Sequence, residues 1–164
     1  MQEVNKGVNP LKEGQQVPDF LALDDSGVAY SNKNLLGTDF IIYFYPRDNT
    51  PGCTLQACDI RDSYKEIKQN SLKIIGVSGC SLQAHKKFKA KYSLPFPILL
   101  DEENKLAKSF GVWGEKRFMG KTFDGIHRTT FWVNKSGVIL KTYPKVKPKL
   151  HINMILKDLR LVSD

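Results

Sequence analysis

Asp39-Phe-Ile-Ile-Tyr-Phe-Tyr45 runs straight into Pro46-Arg-Asp-Asn-Thr-Pro-Gly52, and Cys53 follows. The first stretch is an almost unbroken run of aromatic and β-branched residues, which predicts a central strand covered on both faces. The second carries two prolines and a glycine, which end that strand. Beyond it the apolar residues fall at helical spacing, with Leu55, Ala57, Ile60, Tyr64 and Ile67 as the expected inner positions of one helix over 52–69. Cys53 therefore sits where a strand stops and a helix starts. Backbone N–H groups at such a place have no intrahelical acceptor, and the positive end of the helix dipole is close. Both favour the thiolate, the form of cysteine that does chemistry.

Working outward, residues 17–23 read as a strand, 24–27 as a tight turn, 28–31 as a short return strand and 32–36 as a helical turn. Leu72-Lys-Ile-Ile-Gly-Val-Ser78 is the next buried strand, and 81–91 reads as a helix that Pro95 and Pro97 keep from continuing. Residues 96–100 form a short strand and 102–110 a helix. Segments 129–134 and 138–143 flank Lys135-Ser-Gly137, a hairpin turn. Residues 150–161 are amphipathic, with Ile152, Ile155, Leu156 and Leu159 on one stripe. Strands alternating with helices, closed by a hairpin and a last helix, predict an α/β fold with a mixed central β-sheet flanked by helices. The order is compatible with the thioredoxin arrangement. Residues 1–16 are polar and read as a loose N-terminal arm, and 17–164 as one domain.

The composition suits such a domain: 164 residues, 41% hydrophobic and 26% charged, with no apolar run near the roughly 20 residues that span a membrane. The start of the chain lacks the apolar core of a signal peptide, so the expectation is a cytoplasmic protein without a membrane partner. The net charge of +8 comes from lysines spread along the chain, and no aromatic-basic motif of a nucleic-acid module accompanies them. A solvated lysine surface, with no nucleic-acid partner, is the expectation. Three cysteines, an odd number without Cys-x-x-Cys, do not make a secreted disulfide scaffold. His85, His127 and His151 do not fall at zinc-site spacings with them, so no metal is expected.

A thiolate that reduces a peroxide attacks one oxygen of a weak O–O bond while the other leaves with negative charge. It needs hydrogen-bond donors for both oxygens and a cation for itself. Thr50 offers a hydroxyl, and the N–H groups of Gly52 and Cys53 point from the helix start. Gly52 removes bulk beside the sulfur, while Pro46 and Pro51 stiffen the loop. Arg47 is near in sequence. Arg128, just before the strand 129–134, is the better candidate for the cation, because a neighbouring strand end can deliver its planar fork.

Pro46-Arg-Asp-Asn-Thr50-Pro-Gly-Cys53 resembles the peroxiredoxin active-site pattern Pro-x-x-x-Thr-x-x-Cys. The longer string from Tyr43 to Cys58 is similar to the bacterioferritin comigratory protein (peroxiredoxin Q) subfamily, as are Gly76-Val-Ser78, Gly111-Val-Trp-Gly-Glu-Lys116, Gly120-Lys121 and Arg128-Thr-Thr-Phe131. The resemblance implies a thioredoxin-like fold and a thiol-dependent peroxidase acting on hydrogen peroxide and organic hydroperoxides. It implies Cys53 as the peroxidatic cysteine, with Pro46, Thr50 and Arg128 as its activating shell. It further implies Cys58 as resolving cysteine, a thioredoxin or similar dithiol reductant, no cofactor, and a monomer.

An intact helix holds Cα atoms five residues apart at about 8–9 Å. A disulfide needs less than about 7 Å. A Cys53–Cys58 bond therefore predicts unwinding of the first helical turns. Cys80 departs from the family pattern and reads as a bystander, with an alternative resolving role left open. A thiol–disulfide oxidoreductase acting on proteins would carry Cys-x-x-Cys, whereas this chain has Cys-x-x-x-x-Cys. A non-catalytic binding module using the basic surface would survive Cys53→Ser.

Overall fold

The computed structural model describes residues 8–162. Strand β3 (Phe40–Phe44) is the centre of a five-stranded sheet, and every one of its residues is buried. Parallel β4 (Lys73–Ser78) and then β5 (Ile98–Leu100) lie on one side of it. Antiparallel β8 (Thr129–Val133) and β9 (Ile139–Tyr143) lie on the other. Period-two alternation splits β3 between two cores. Ile41, Tyr43 and Tyr45 face one apolar cluster, and Phe40, Ile42 and Phe44 face the other.

The first cluster is roofed by α1 (Pro51–Asp62), α2 (Tyr64–Gln69), α3 (Leu82–Tyr92) and α5 (Pro148–Val162) through Ala57, Ile67, Phe88 and Ile155. The second is closed by α4 (Lys105–Ser109) and by β7 (Lys121–Ile126), through Leu106 and Ile126. A mixed sheet with helices on both faces is the α/β architecture expected. The predicted stripe of α5 is buried in full.

Four readings need correction. The expected helix over 52–69 breaks at Ser63, whose φ of −105° and ψ of 5° leave the helical region and separate α1 from α2. Leu55, expected inside, is exposed, while Gln56 takes the inward position and is fully buried. The helix over 102–110 is a 3-10 turn, Glu102–Asn104, followed by α4, because Glu103 and Asn104 adopt positive φ. The expected loose arm is tied down over part of its length. Asn9 N–H donates to Gly111 O, Leu11 N–H to Phe110 O, and Gly14 N–H to Ile139 O. Residues 1–7 of that arm lie outside the described residues.

Two small hairpins complete the fold: β1 (Leu21–Leu23) with β2 (Ala29–Ser31), and β6 (Trp113–Phe118) with β7. The second was not expected from the sequence. Charged residues interrupt its apolar alternation, and its turn rests on positive φ at Met119 and Gly120.

Candidate active site

Strand β3 delivers its C-terminal end to a loop, 46–50, that turns into α1 with Thr50 as N-cap and Pro51 in the first turn. Thr50 makes no side-chain cap; its hydroxyl donates instead to Arg47 O at 3.0 Å. The proton is thus committed within the loop, leaving the oxygen lone pairs to accept from outside. The first helical bond runs from Thr54 N–H to Thr50 O at 2.8 Å, so the N–H groups of Gly52 and Cys53 precede the intrahelical ladder. Cys53 itself is buried.

Register places the cation. Phe44 pairs with Thr129 across the antiparallel β3–β8 ladder, so Arg128 lies one step beyond the end of β3, beside the loop. Its Nη1 donates to Cys53 Sγ at 3.3 Å and to Gln56 Oε1 at 2.6 Å. Gly52 makes the approach possible: a Cβ there would stand 3.3 Å from Arg128 Nη2 and 3.2 Å from Pro148 Cγ. A second cation arrives from β6. Lys116 donates to Ile126 O at 2.9 Å, and burial followed by the Arg128 charge push its ammonium below the usual lysine range, with Cys53 pulling the other way. Pro46, Cys80, Trp113, Lys116, Phe123 and Ile126 wall a cleft of about 370 Å³ beside the loop.

Of the residues singled out from sequence, Thr50, Gly52, Cys53 and Arg128 come together around one helix start, with Pro46 in the adjoining loop. Arg47, the other cation weighed, is exposed. Cys58 stands farther along α1, partly buried, with its thiol pushed up by desolvation against the pull of Arg61. No disulfide joins the three cysteines. Cys80 Sγ accepts the Asp48 N–H at 3.3 Å, so in this reduced form it holds the loop.

Sequence reasoning missed Gln56, His85, Lys116 and His151. A polar side chain at an inward helical position is the signal that reaches the first: Gln56 lies three residues after Cys53 and four before Ile60, both buried. His151 relates to Ile155, and His85 to Phe88, in the same way. Among the described residues no cluster of three or more His, Cys, Asp or Glu side chains is arranged to hold a metal ion. Among the described residues, too, no helix is long and apolar enough to cross a membrane.

Residues 13–142 match the AhpC/TSA family. The chain belongs to that family. It is similar along 94% of its length to peroxiredoxin Bcp of Bacillus subtilis, at 43% identity and covering 98% of that protein. Peroxiredoxin Bcp of Escherichia coli K12 is 39% identical, with 93% of this chain and 98% of the relative covered. Among solved structures, the bacterioferritin comigratory protein of Xanthomonas campestris, studied for alkyl peroxide reduction, superposes with a TM-score of 0.85 at 30% identity, covering 95% of this chain and all of that one. This member of the AhpC/TSA family is a thiol-dependent peroxidase on a thioredoxin-like fold.

Proposed function

We propose that this peroxidase reduces hydrogen peroxide and organic hydroperoxides at Cys53, and that Cys58 resolves the oxidised sulfur. The observation that carries the reading is the 3.3 Å bond from Arg128 Nη1 to Cys53 Sγ, a guanidinium held on one chosen sulfur in a buried site. The Cys53 thiolate attacks the terminal oxygen of ROOH. An S–O bond forms, the O–O bond breaks, and alkoxide or hydroxide leaves and takes a proton from water. Thr50 Oγ1 accepts the hydroperoxide O–H, while Arg128 and the N–H groups at the helix start hold the developing charge. The apolar walls of the neighbouring cleft, Trp113 and Phe123 among them, suit an organic R group.

Cys58, a thiol without a guanidinium donor on its sulfur, then displaces hydroxide from the Cys53 sulfenic acid. A disulfide forms and water leaves. Thioredoxin or a similar dithiol donor reverses that bond by exchange. Mass spectrometry after one equivalent of peroxide tests the scheme, together with turnover of single cysteine variants. The expected product links Cys53 to Cys58, and Cys53→Ser abolishes peroxide consumption. A Cys53–Cys80 link would reverse the resolving assignment, and full activity in Cys53→Ser would end the reading.

A further inference from the structure

Arg128 does not stand alone on the sulfur. Its Nη1 also donates to Gln56 Oε1 at 2.6 Å, Gln56 Nε2 lies 2.9 Å from His151 Nδ1, and His151 Nε2 lies 2.8 Å from Thr130 Oγ1. Gln56, Thr130 and His151 are all buried. Donor arithmetic orients the whole chain. A guanidinium only donates, so the Gln56 atom facing it is the oxygen. The amide nitrogen then faces His151 and donates to Nδ1, which carries no proton. The ring hydrogen sits on Nε2 and goes to Thr130. An imidazolium would set an Nδ1–H against the Gln56 amide hydrogens. Burial, then the Arg128 charge, also hold this ring neutral, with its pKa lowered to about 3.

We propose that His151, from the first turn of α5, is a positioning residue that aims Arg128 at Cys53 through Gln56. With Nδ1 as a fixed acceptor, the Gln56 amide has one orientation and the guanidinium one place to sit. Without it, Gln56 Nε2 is a buried donor with no partner, the amide turns to find one, and Arg128 loses its second anchor. The inference rests on the reading that Arg128 activates Cys53. Tyr43 from β3 and Lys116 from β6 also interact electrostatically with that sulfur.

The test measures, by stopped flow, the second-order rate of Cys53 oxidation by hydrogen peroxide, and the pH profile of Cys53 alkylation in the absence of peroxide. His151→Leu and Gln56→Met are each expected to slow oxidation about tenfold and move the alkylation profile to higher pH. His151→Asn, whose amide oxygen falls near the Nδ1 position, restores both. The double variant is no slower than the worse single one, because both cut the same chain. A wild-type rate and profile in His151→Leu overturn the proposal. Arg128→Met separates the two levels. If it too is normal, the site reading fails; if it alone is slow, only the brace fails. Should His151→Leu not fold, Gln56→Met and imidazole nitrogen NMR of the reduced wild type decide. An Nε2–H tautomer at neutral pH is expected. The Nδ1–H tautomer, an imidazolium, or a normal Gln56→Met would overturn the proposal.

Discussion

Asp48 and His85, 37 residues apart in sequence, are joined by a 2.5 Å bond from His85 Nδ1 to Asp48 Oδ2 with both side chains out of water. The other carboxylate oxygen takes the Tyr45 hydroxyl at 2.5 Å, and His85 Nε2 donates to Leu99 O at 3.1 Å. The loop that carries Pro46 and Thr50 is thereby pinned to α3 at its middle. The Asp48 N–H bond to Cys80 Sγ pins it a second time.

Removing the carboxylate leaves two buried donors with no acceptor. Asp48→Leu is expected to destabilise the fold by about 3–5 kcal/mol, the usual loss when one partner of a buried pair is taken away. Urea denaturation measures it. A loss below about 1 kcal/mol would mean that the pair contributes little.

Gly52→Ala addresses the guanidinium directly. The new Cβ would lie 3.3 Å from Arg128 Nη2 and 3.2 Å from Pro148 Cγ, tighter than ordinary contact. Arg128 must give way, so the peroxide rate falls about tenfold while a helix-favouring alanine leaves the melting temperature nearly unchanged. A wild-type rate would show that Arg128 has room to spare.

In the reduced form α1 is helical from Pro51 to Asp62, with both Cys53 and Cys58 inside it. A disulfide between them needs Cα atoms closer than about 7 Å, against about 8–9 Å on a helix. Oxidation therefore opens the first turns, and Gln56, which lies between the two sulfurs, leaves His151 and Arg128. Amide hydrogen exchange over 52–62 in the two redox states reads this directly. Protection falls in the disulfide form; equal protection would remove the prediction. In turnover with thioredoxin, Cys58→Ser stops the cycle and Cys80→Ser does not.

The neutral His151 makes folding sensitive to acid. Its folded pKa is about 3 against an ordinary value of 6.5. Below the ordinary value the unfolded chain takes up a proton that the native ring refuses, so stability falls as pH drops from 6.5 toward 3. The slope from this one residue approaches about 1.4 kcal/mol per pH unit, and it vanishes above 6.5. Denaturation midpoints of wild type and His151→Asn across this range isolate it. A constant difference between the two would contradict a buried neutral ring.

Much of the frame is readable from local pattern. The apolar run ending at Tyr45 becomes the strand at the middle of the sheet, and the stripe of Ile152, Ile155, Leu156 and Leu159 becomes the buried face of α5. Periodicity carries that information because burial on one or two faces is written into neighbouring residues. It misplaces Leu55 because α1 presents Gln56 inward, and a polar residue takes such a place only if partners from elsewhere satisfy it. The β6–β7 hairpin escapes notice because β6 is mostly half-buried and β7 mostly exposed, so little burial pattern is written into them.

The sequence alone determined that a cysteine stands at the junction of a buried strand and a helix, with a threonine, a glycine and prolines around it, since these are neighbours in the chain. What reaches that sulfur is set by how distant segments pack. Arg128 arrives because β8 pairs antiparallel with β3 in one register, and His151 because α5 lies over α1. Gln56 stands between them with its amide set by a donor on one side and an acceptor on the other. Hydrogen bonds between residues some seventy to ninety-five positions apart follow from how the layers pack, and no local pattern of residues specifies them.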